Sequence, residues 1–344
     1  MKPEEAAQNA VLAGLSESPF ARLRALLDTP SPQTEPTISL AVGSPRHQPP
    51  QFALDCLTEN LATYGDYPPI NGIESWQASA RDWLSRRFHI TPEIYGAPHQ
   101  VLPATGTREA LFLAAQIAPD GPNKKFMAMP NPFYQIYEGA AYLAGAEPHF
   151  LPCLAENGFN PDFHAVSDET WQQCQLLFLC TPGNPTGAVL DIETLTKLIA
   201  LADKHDFIIA SDECYSEIYV NNKPAPVGLL QACEALGRHD YARCVVFHSL
   251  SKRSNLPGLR SGFVAGDAKV LKDFLRYRTY HGCAMPPATQ SASIVAWQDE
   301  SHVLKNRSLY REKFAAVLSI LSPVMNVKLP HAGFYLWAET PISD

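Results

Sequence analysis

The segment His248-Ser249-Leu250-Ser251-Lys252-Arg253 places a lysine among small hydroxyl residues, just after an apolar run. An amine held there is desolvated and near a cation, and both effects depress its pKa and make it nucleophilic. The ordinary alternative is a solvated loop lysine. Pro257-Gly258-Leu259-Arg260-Ser261-Gly262 follows, with an arginine able to grip a phosphate through two hydrogen bonds, or else a surface arginine in a turn. Ser211-Asp212-Glu213-Cys214-Tyr215 offers a carboxylate. Buried, it stays ionised only beside a cation or donor, and a protonated pyridine nitrogen is one such partner; a helix cap or structural ion pair is the plainer reading.

Other segments carry complementary groups. Thr181-Pro182-Gly183-Asn184-Pro185-Thr186-Gly187 is dense in turn formers and presents the Asn184 amide as a donor. Thr105-Gly106-Thr107-Arg108 reads as a strand-to-helix turn. Its glycine admits an oxyanion to the backbone and its helix N-terminus offers free N–H groups, although a plain turn with a threonine cap has the same pattern. In Pro130-Asn131-Pro132-Phe133-Tyr134-Gln135-Ile136-Tyr137 an aromatic residue can stack on a flat heteroaromatic ring or pack in the core. Taken together these are an anion cradle, a stacking ring, a donor, a buried carboxylate and an activated lysine, the set that pyridoxal phosphate needs.

The elements that must position them are short apolar runs alternating with helical patterns. Strands are expected at Gln100–Ala104, Lys125–Met129, Leu176–Cys180, Phe207–Ala210, Cys244–Phe247 and Gly262–Ala265, with a further strand-like run at Gly333–Trp337. Helices are expected over about 191–204, 270–280, 287–298 and 301–321. Continuous apolar runs separated by helices are the signature of buried parallel strands, so the expected class is α/β, a mostly parallel sheet covered by helices on both faces. In such sheets ligands bind beyond the carboxyl ends of the strands. Residues 50–275 are expected to form a large domain, and 1–49 with 276–344 a smaller one.

With 344 residues, 46% hydrophobic and 18% charged, the chain is long enough for two domains and a sizeable core. A formal net charge of −8 without a basic stripe argues against nucleic-acid binding. No stretch approaches the ~18 apolar residues of a membrane helix, and the eight cysteines show neither C-x-x-C pairs nor zinc spacing. The expectation is a soluble cytoplasmic protein with free thiols and no metal.

The segments N-P-F-Y-x-x-Y, T-P-G-N-P-T-G, S-D-E-x-Y and S-L-S-K-R-x-x-x-P-G-L-R-x-G resemble those of the fold-type I, class I/II aminotransferases. The resemblance runs from Leu40-Ala41-Val42-Gly43 to Phe334-Tyr335-Leu336-Trp337. It implies pyridoxal 5′-phosphate as cofactor, joined covalently to Lys252, which would also move the substrate's α-proton. Asp212 would pair with the ring nitrogen, Asn184 and Tyr215 would hold the ring hydroxyl, and Tyr134 would stack on the ring. Gly106, Thr107, Arg108, Ser249 and Arg260 would hold the phosphate, and Gly43 and Asn184 would meet the substrate. Tyr67 would reach the partner subunit's phosphate, which implies a homodimer with shared sites, and the Asn184–Pro185 bond would be cis. The family continues past Trp337 with a strand, a helix and an arginine for the substrate α-carboxylate. This chain ends at Asp344, so its small domain is expected to be C-terminally short. The wording N-P-F-Y-Q-I-Y-E-G-A, S-D-E-C-Y-S-E-I-Y and Y-R-T-Y-H-G-C-A-M is most similar to members of bacterial lysine synthesis that act on N-succinyl-2-amino-6-oxopimelate with glutamate as amino donor. Alternatives are an aspartate, alanine or aromatic aminotransferase, a β-lyase using the same cofactor, and a non-catalytic binding protein on the same fold.

Overall fold

A computed structural model describes residues 17–27, 42–91, 100–220 and 223–340, with positions 11, 15 and 40. Six apolar runs and one further segment form a seven-stranded sheet: β1 Val101–Ala104, β2 Phe126–Asn131, β3 Glu147–Pro152, β4 Cys174–Cys180, β5 Ile208–Asp212, β6 Cys244–Ser249 and β7 Gly262–Gly266. The strand order is β1-β7-β6-β5-β4-β2-β3. The pairs β2–β3, β2–β4, β4–β5 and β5–β6 are parallel, and β7 runs antiparallel to both of its neighbours.

Strand alternation divides the core between the two faces. Leu177, Leu179, Ile209, Val246 and Phe263 point to one face, where Trp76 and Trp83 of helix Glu74–Phe88, Leu195 and Leu198 of helix Ile192–His205, and Trp297 cover them. Leu176, Phe178, Ile208, Ala210, Val245, Phe247 and Val264 point to the other, under Leu111 and Ala114 of helix Thr107–Gln116, Tyr137 and Ala140 of helix Ile136–Leu143, and Leu271 and Phe274 of helix Ala268–Arg278. Helix Ile192–His205 starts where a cap is available, the Asp191 carboxylate accepting the Thr194 N–H at 2.8 Å.

Two elements differ from the sequence expectation. Strand β3 was not anticipated. It lies at the sheet edge with only Leu151 buried, so Glu147-Pro-His-Phe-Leu-Pro152 lacks the continuous apolar run of an inner strand. Gly333–Trp337, expected as a strand, is not one. Its neighbourhood spends its backbone groups on the loops instead: the Val220 N–H donates to the His331 carbonyl at 3.2 Å, the Gly333 N–H to the Ile218 carbonyl at 2.8 Å, and the Ala332 N–H to the Gly187 carbonyl at 3.2 Å. The strand there is the short β9, Ala338–Glu339, paired antiparallel with β8, Asn326–Val327.

A buried ion triad joins the helix Ser301–Leu321 to the rest. Glu217 accepts from Arg87 Nε at 2.5 Å and Arg307 Nη2 at 3.2 Å, with both arginine side chains and the carboxylate largely shielded from water. Removing one member of a buried ion cluster strands the others without water. Glu217→Ala is expected to lower unfolding free energy by about 3–5 kcal/mol, read as a lower denaturant midpoint at unchanged slope.

Candidate active site

The strand register assembles the site. Cys180 of β4 lies beside Asp212 of β5, which in turn pairs with Phe247 of β6. Ser249, the last residue of β6, pairs with Gly262 of β7, and Gly262 pairs with Ala104 of β1. Because β7 is antiparallel, its first residues lie on the edge where the parallel strands end. Arg260 therefore reaches the site from before a strand rather than after one. Asp212 and Ser249 belong to the strands themselves, and Lys252 stands on the short helix Leu250–Arg253 that follows at once.

Asp212 is buried, and its two oxygens are both used. Tyr137 donates its hydroxyl to Oδ2 at 2.9 Å, and the Cys214 N–H donates to Oδ1 at 3.2 Å. Burial lifts its pKa above the ordinary carboxylate value, while the Cys214 and Tyr137 donors pull it back. Tyr137 is itself fixed, lying flat on Phe178 with ring centroids 4.6 Å apart. Tyr134 meets Tyr137 edge-on at 5.8 Å and accepts from Arg108 Nε at 2.9 Å.

Lys252 Nζ lies 5.0 Å from the Phe334 ring centre and 5.7 Å from that of Tyr215. Burial lowers its pKa, Cys214 and Asp212 raise it in part, and Arg260 lowers it further. A desolvated amine that gives up its proton more readily than an ordinary lysine is a stronger nucleophile at neutral pH. The helix beneath it is braced from several sides. Asn306 Nδ2 donates to the Lys252 carbonyl at 3.2 Å and the Arg253 carbonyl at 3.3 Å. Arg253, buried against Trp83 and Trp297, donates to the Ala296 carbonyl at 2.6 Å and Glu300 at 2.7 Å.

The turn after β1 forms a cradle of donors. Gly106 has φ of +89°, and a Cβ there would stand 1.8 Å from Arg260 Nη2, so only glycine admits the guanidinium. Arg260 donates to the Thr105 carbonyl at 3.3 Å and the Pro257 carbonyl at 2.7 Å. Thr107 opens helix Thr107–Gln116, with its hydroxyl 3.1 Å from Cys214 Sγ. Ser249 accepts the Ser251 N–H at 3.1 Å, capping the lysine helix. Glu109 steadies the turn from behind, accepting the Thr105 N–H at 2.9 Å and standing 3.5 Å from the buried Arg278.

Asn184 lies in the loop after β4, between a half-buried Gly183 and the cis Asn184–Pro185 bond that the resemblance implied; Asn131–Pro132 and Thr181–Pro182 are also cis. Gly43 faces Tyr335, whose hydroxyl is 3.2 Å from that of Tyr215. Tyr67 stands apart from this cluster, its side chain fully in water at 102% relative exposure. Sequence reading passed over Tyr137, Glu109, Asn306 and Tyr335. Tyr137 and Tyr335 fall inside recognisable motifs, yet their partners lie 75 and 120 residues away in sequence, so only the fold reveals the contact. Among the described residues there is no cluster of metal-ligating side chains, and no helix is long and apolar enough to cross a membrane.

Known proteins share this architecture. The sequence pattern of the family "Aminotransferase class I and II" matches residues 35–343. An LL-diaminopimelate aminotransferase from Maridesulfovibrio salexigens is 32% identical over 337 residues, covering 96% of this chain and 84% of the relative. The crystal structure of an aminotransferase from Neisseria meningitidis Z2491 superposes with a TM-score of 0.89 at 46% identity, over 97% of this chain and 84% of that one. A probable N-succinyldiaminopimelate aminotransferase from Thermus thermophilus superposes with a TM-score of 0.78 at 25% identity, over 88% of this chain and 80% of that one.

Proposed function

The chain belongs to the class I and II aminotransferases, and from that premise we propose that it exchanges an amino group between L-glutamate and a 2-amino-6-oxopimelate whose distal amine is succinylated. Members of this family use pyridoxal 5′-phosphate, which is the cofactor of this chain. When bound, it supplies a carbonyl that takes the substrate amine covalently and a protonated ring that draws off the electron pair left at the α-carbon. The residues present fit it. Thr107, Ser249 and Arg260 bring hydroxyl, helix N-terminal and guanidinium donors suited to a phosphate around a turn whose Gly106 leaves no space for a Cβ. Asp212 suits a protonated ring nitrogen, and the Lys252 amine suits a carbonyl carbon.

The observation that carries the amino-transfer part of this reading is the convergence of a desolvated Lys252 and a buried, doubly hydrogen-bonded Asp212 at adjacent strand ends, and the name of the Thermus relative supports the succinylated substrate. In the proposed scheme Lys252 would hold the cofactor covalently and, with its amine free, would take and return the substrate's α-proton. Asp212 keeps the ring protonated, Asn184 and Tyr215 hold the ring hydroxyl, and Tyr134 covers the ring. Gly106, Thr107, Arg108, Ser249 and Arg260 hold the phosphate, and Gly43 and Asn184 meet the substrate. We further propose a homodimer in which Tyr67 reaches the partner's phosphate. Its side chain is free in water, and an apolar groove lined by Leu54, Leu57, Tyr64 and Leu259 opens beside Arg260. The eight free cysteines suit a reducing cytoplasm.

A second reading is that the substrate is LL-diaminopimelate without the succinyl group, favoured by the name of the Maridesulfovibrio relative. The experiment records the visible spectrum of the purified chain with pyridoxal 5′-phosphate before and after L-glutamate. It then measures glutamate formed from 2-oxoglutarate with N-succinyl-LL-diaminopimelate and with LL-diaminopimelate. The larger kcat/KM identifies the substrate. A glutamate response with turnover of neither compound removes the diaminopimelate reading.

A further inference from the structure

The stretch Ala332–Tyr335 is tied against the site. Its backbone is tied to the Tyr215–Val220 turn and to the loop after β4, through Gly333 N–H to Ile218 and Ala332 N–H to Gly187. Phe334 lies flat on Tyr310, ring centroids 5.4 Å apart at 10°, and also meets Tyr335 at 4.7 Å, Tyr215 at 5.4 Å and the Lys252 amine at 5.0 Å. Tyr335 is thereby aimed at the site. Its ring lies over Gly43, where a Cβ would stand 2.1 Å from Cε1 and 2.3 Å from the hydroxyl oxygen. Its hydroxyl meets that of the buried Tyr215 at 3.2 Å.

A phenol has one proton to donate and two lone pairs to accept with. If Tyr215 is to donate to a ligand oxygen, its own oxygen is left to accept, and Tyr335 is the group positioned to donate to it. Such a chain of hydroxyls polarises each member, so the terminal donor binds more strongly than it does alone. A phenylalanine at 335 would fill the same space and make the same ring contacts. Among the described residues, the hydrogen bond that the hydroxyl adds is this one to Tyr215.

We propose that Tyr335 is a positioning residue of the active site, donating to Tyr215 and fixing the direction in which Tyr215 presents its proton to the cofactor's ring hydroxyl. This rests on the functional reading given above. Because Tyr335 acts through Tyr215, its effect disappears when Tyr215 is gone.

The test is a double-mutant cycle on the binding of pyridoxal 5′-phosphate to the cofactor-stripped protein, read as quenching of protein fluorescence, with kcat and KM measured in parallel. Tyr335→Phe is expected to weaken cofactor binding about two- to tenfold, the span of one net hydrogen bond, and to lower kcat more than it raises KM. Tyr215→Phe is expected to weaken binding at least as much. The double variant is expected to match Tyr215→Phe, because residues in one hydrogen-bond network are non-additive. Cofactor affinity unchanged in Tyr335→Phe, or effects that simply multiply in the double variant, overturn the proposal. A wild-type protein that binds no pyridoxal 5′-phosphate overturns the functional reading itself, and this inference with it.

Discussion

Lys252→Ala is expected to abolish covalent attachment of pyridoxal 5′-phosphate and to lower transamination by at least about 10³-fold, within the range that a positioned proton-transfer group and a covalent nucleophile contribute. The amine stands over Phe334 and Tyr215 at the end of β6, on a helix braced by Asn306 and Arg253. Alanine removes the amine without disturbing that bracing, since the anchoring bonds from Asn306 reach backbone carbonyls. The check is borohydride reduction of the loaded protein followed by peptide mass mapping, with kcat measured on the same preparations. In wild type the reduced adduct maps to the peptide holding Lys252; in the variant no adduct forms while the fold, read by circular dichroism, is kept. An adduct on another lysine would remove Lys252 from its role. Other lysines stand in different surroundings: Lys124, whose pKa burial also lowers, donates to the carbonyls of Cys174 and His205 between β4 and the end of helix Ile192–His205.

The inner strands were legible from sequence because Leu176–Cys180, Cys244–Phe247 and Gly262–Ala265 are buried on both faces and so read as unbroken apolar runs. The edge strand Glu147–Pro152 was not, since one exposed side lets polar residues and prolines into the run. The antiparallel sense of β7 was equally hidden. Nothing in Gly262-Phe-Val-Ala265 records direction, yet direction is what brings Arg260 to the edge shared with Lys252. The chemistry-bearing residues Lys252, Asp212 and Arg260 were visible because each sits in a segment of unusual composition. Tyr137 closes a recognisable motif but has no evident task in the sequence. Its task is a hydrogen bond to Asp212, and no local pattern encodes a contact between one helix and the end of a distant strand. Gly333–Trp337 misled for the converse reason: its apolar residues are there to line the site, and Phe334 and Tyr335 spend their rings on Lys252, Tyr215 and Gly43 rather than on a sheet face.

Asp212→Asn is expected to leave cofactor attachment in place, to lower kcat by about 10²–10⁴-fold, and at neutral pH to make the cofactor-free protein more stable than wild type. The two effects share one cause. Asp212 sits at the end of β5 with burial holding its pKa above the ordinary carboxylate value. The sign follows from linkage. Between the ordinary value and the raised one the native state binds more protons than the unfolded chain, so stability falls as pH rises through that interval. The stabilisation is complete below the ordinary value of 3.8 and is lost above the raised one. At neutral pH the cofactor-free wild type therefore carries a cost, of burying the charge or of protonating it, that asparagine, neutral and similar in shape, does not carry. Thermal melts of both cofactor-free proteins from pH 4 to pH 8 should show the gap in Tm widening with pH. Adding pyridoxal 5′-phosphate should narrow or reverse it, because a protonated ring nitrogen gives the carboxylate its missing partner and stabilises only wild type in that way. Tyr137→Phe should act in the same direction on turnover but more weakly, removing one of the two donors that orient the carboxylate. A gap that stays constant across pH would mean that the Asp212 pKa is not raised in the cofactor-free site and that its charge costs nothing there. Near-normal kcat in Asp212→Asn would mean that ring protonation is secured by some other group.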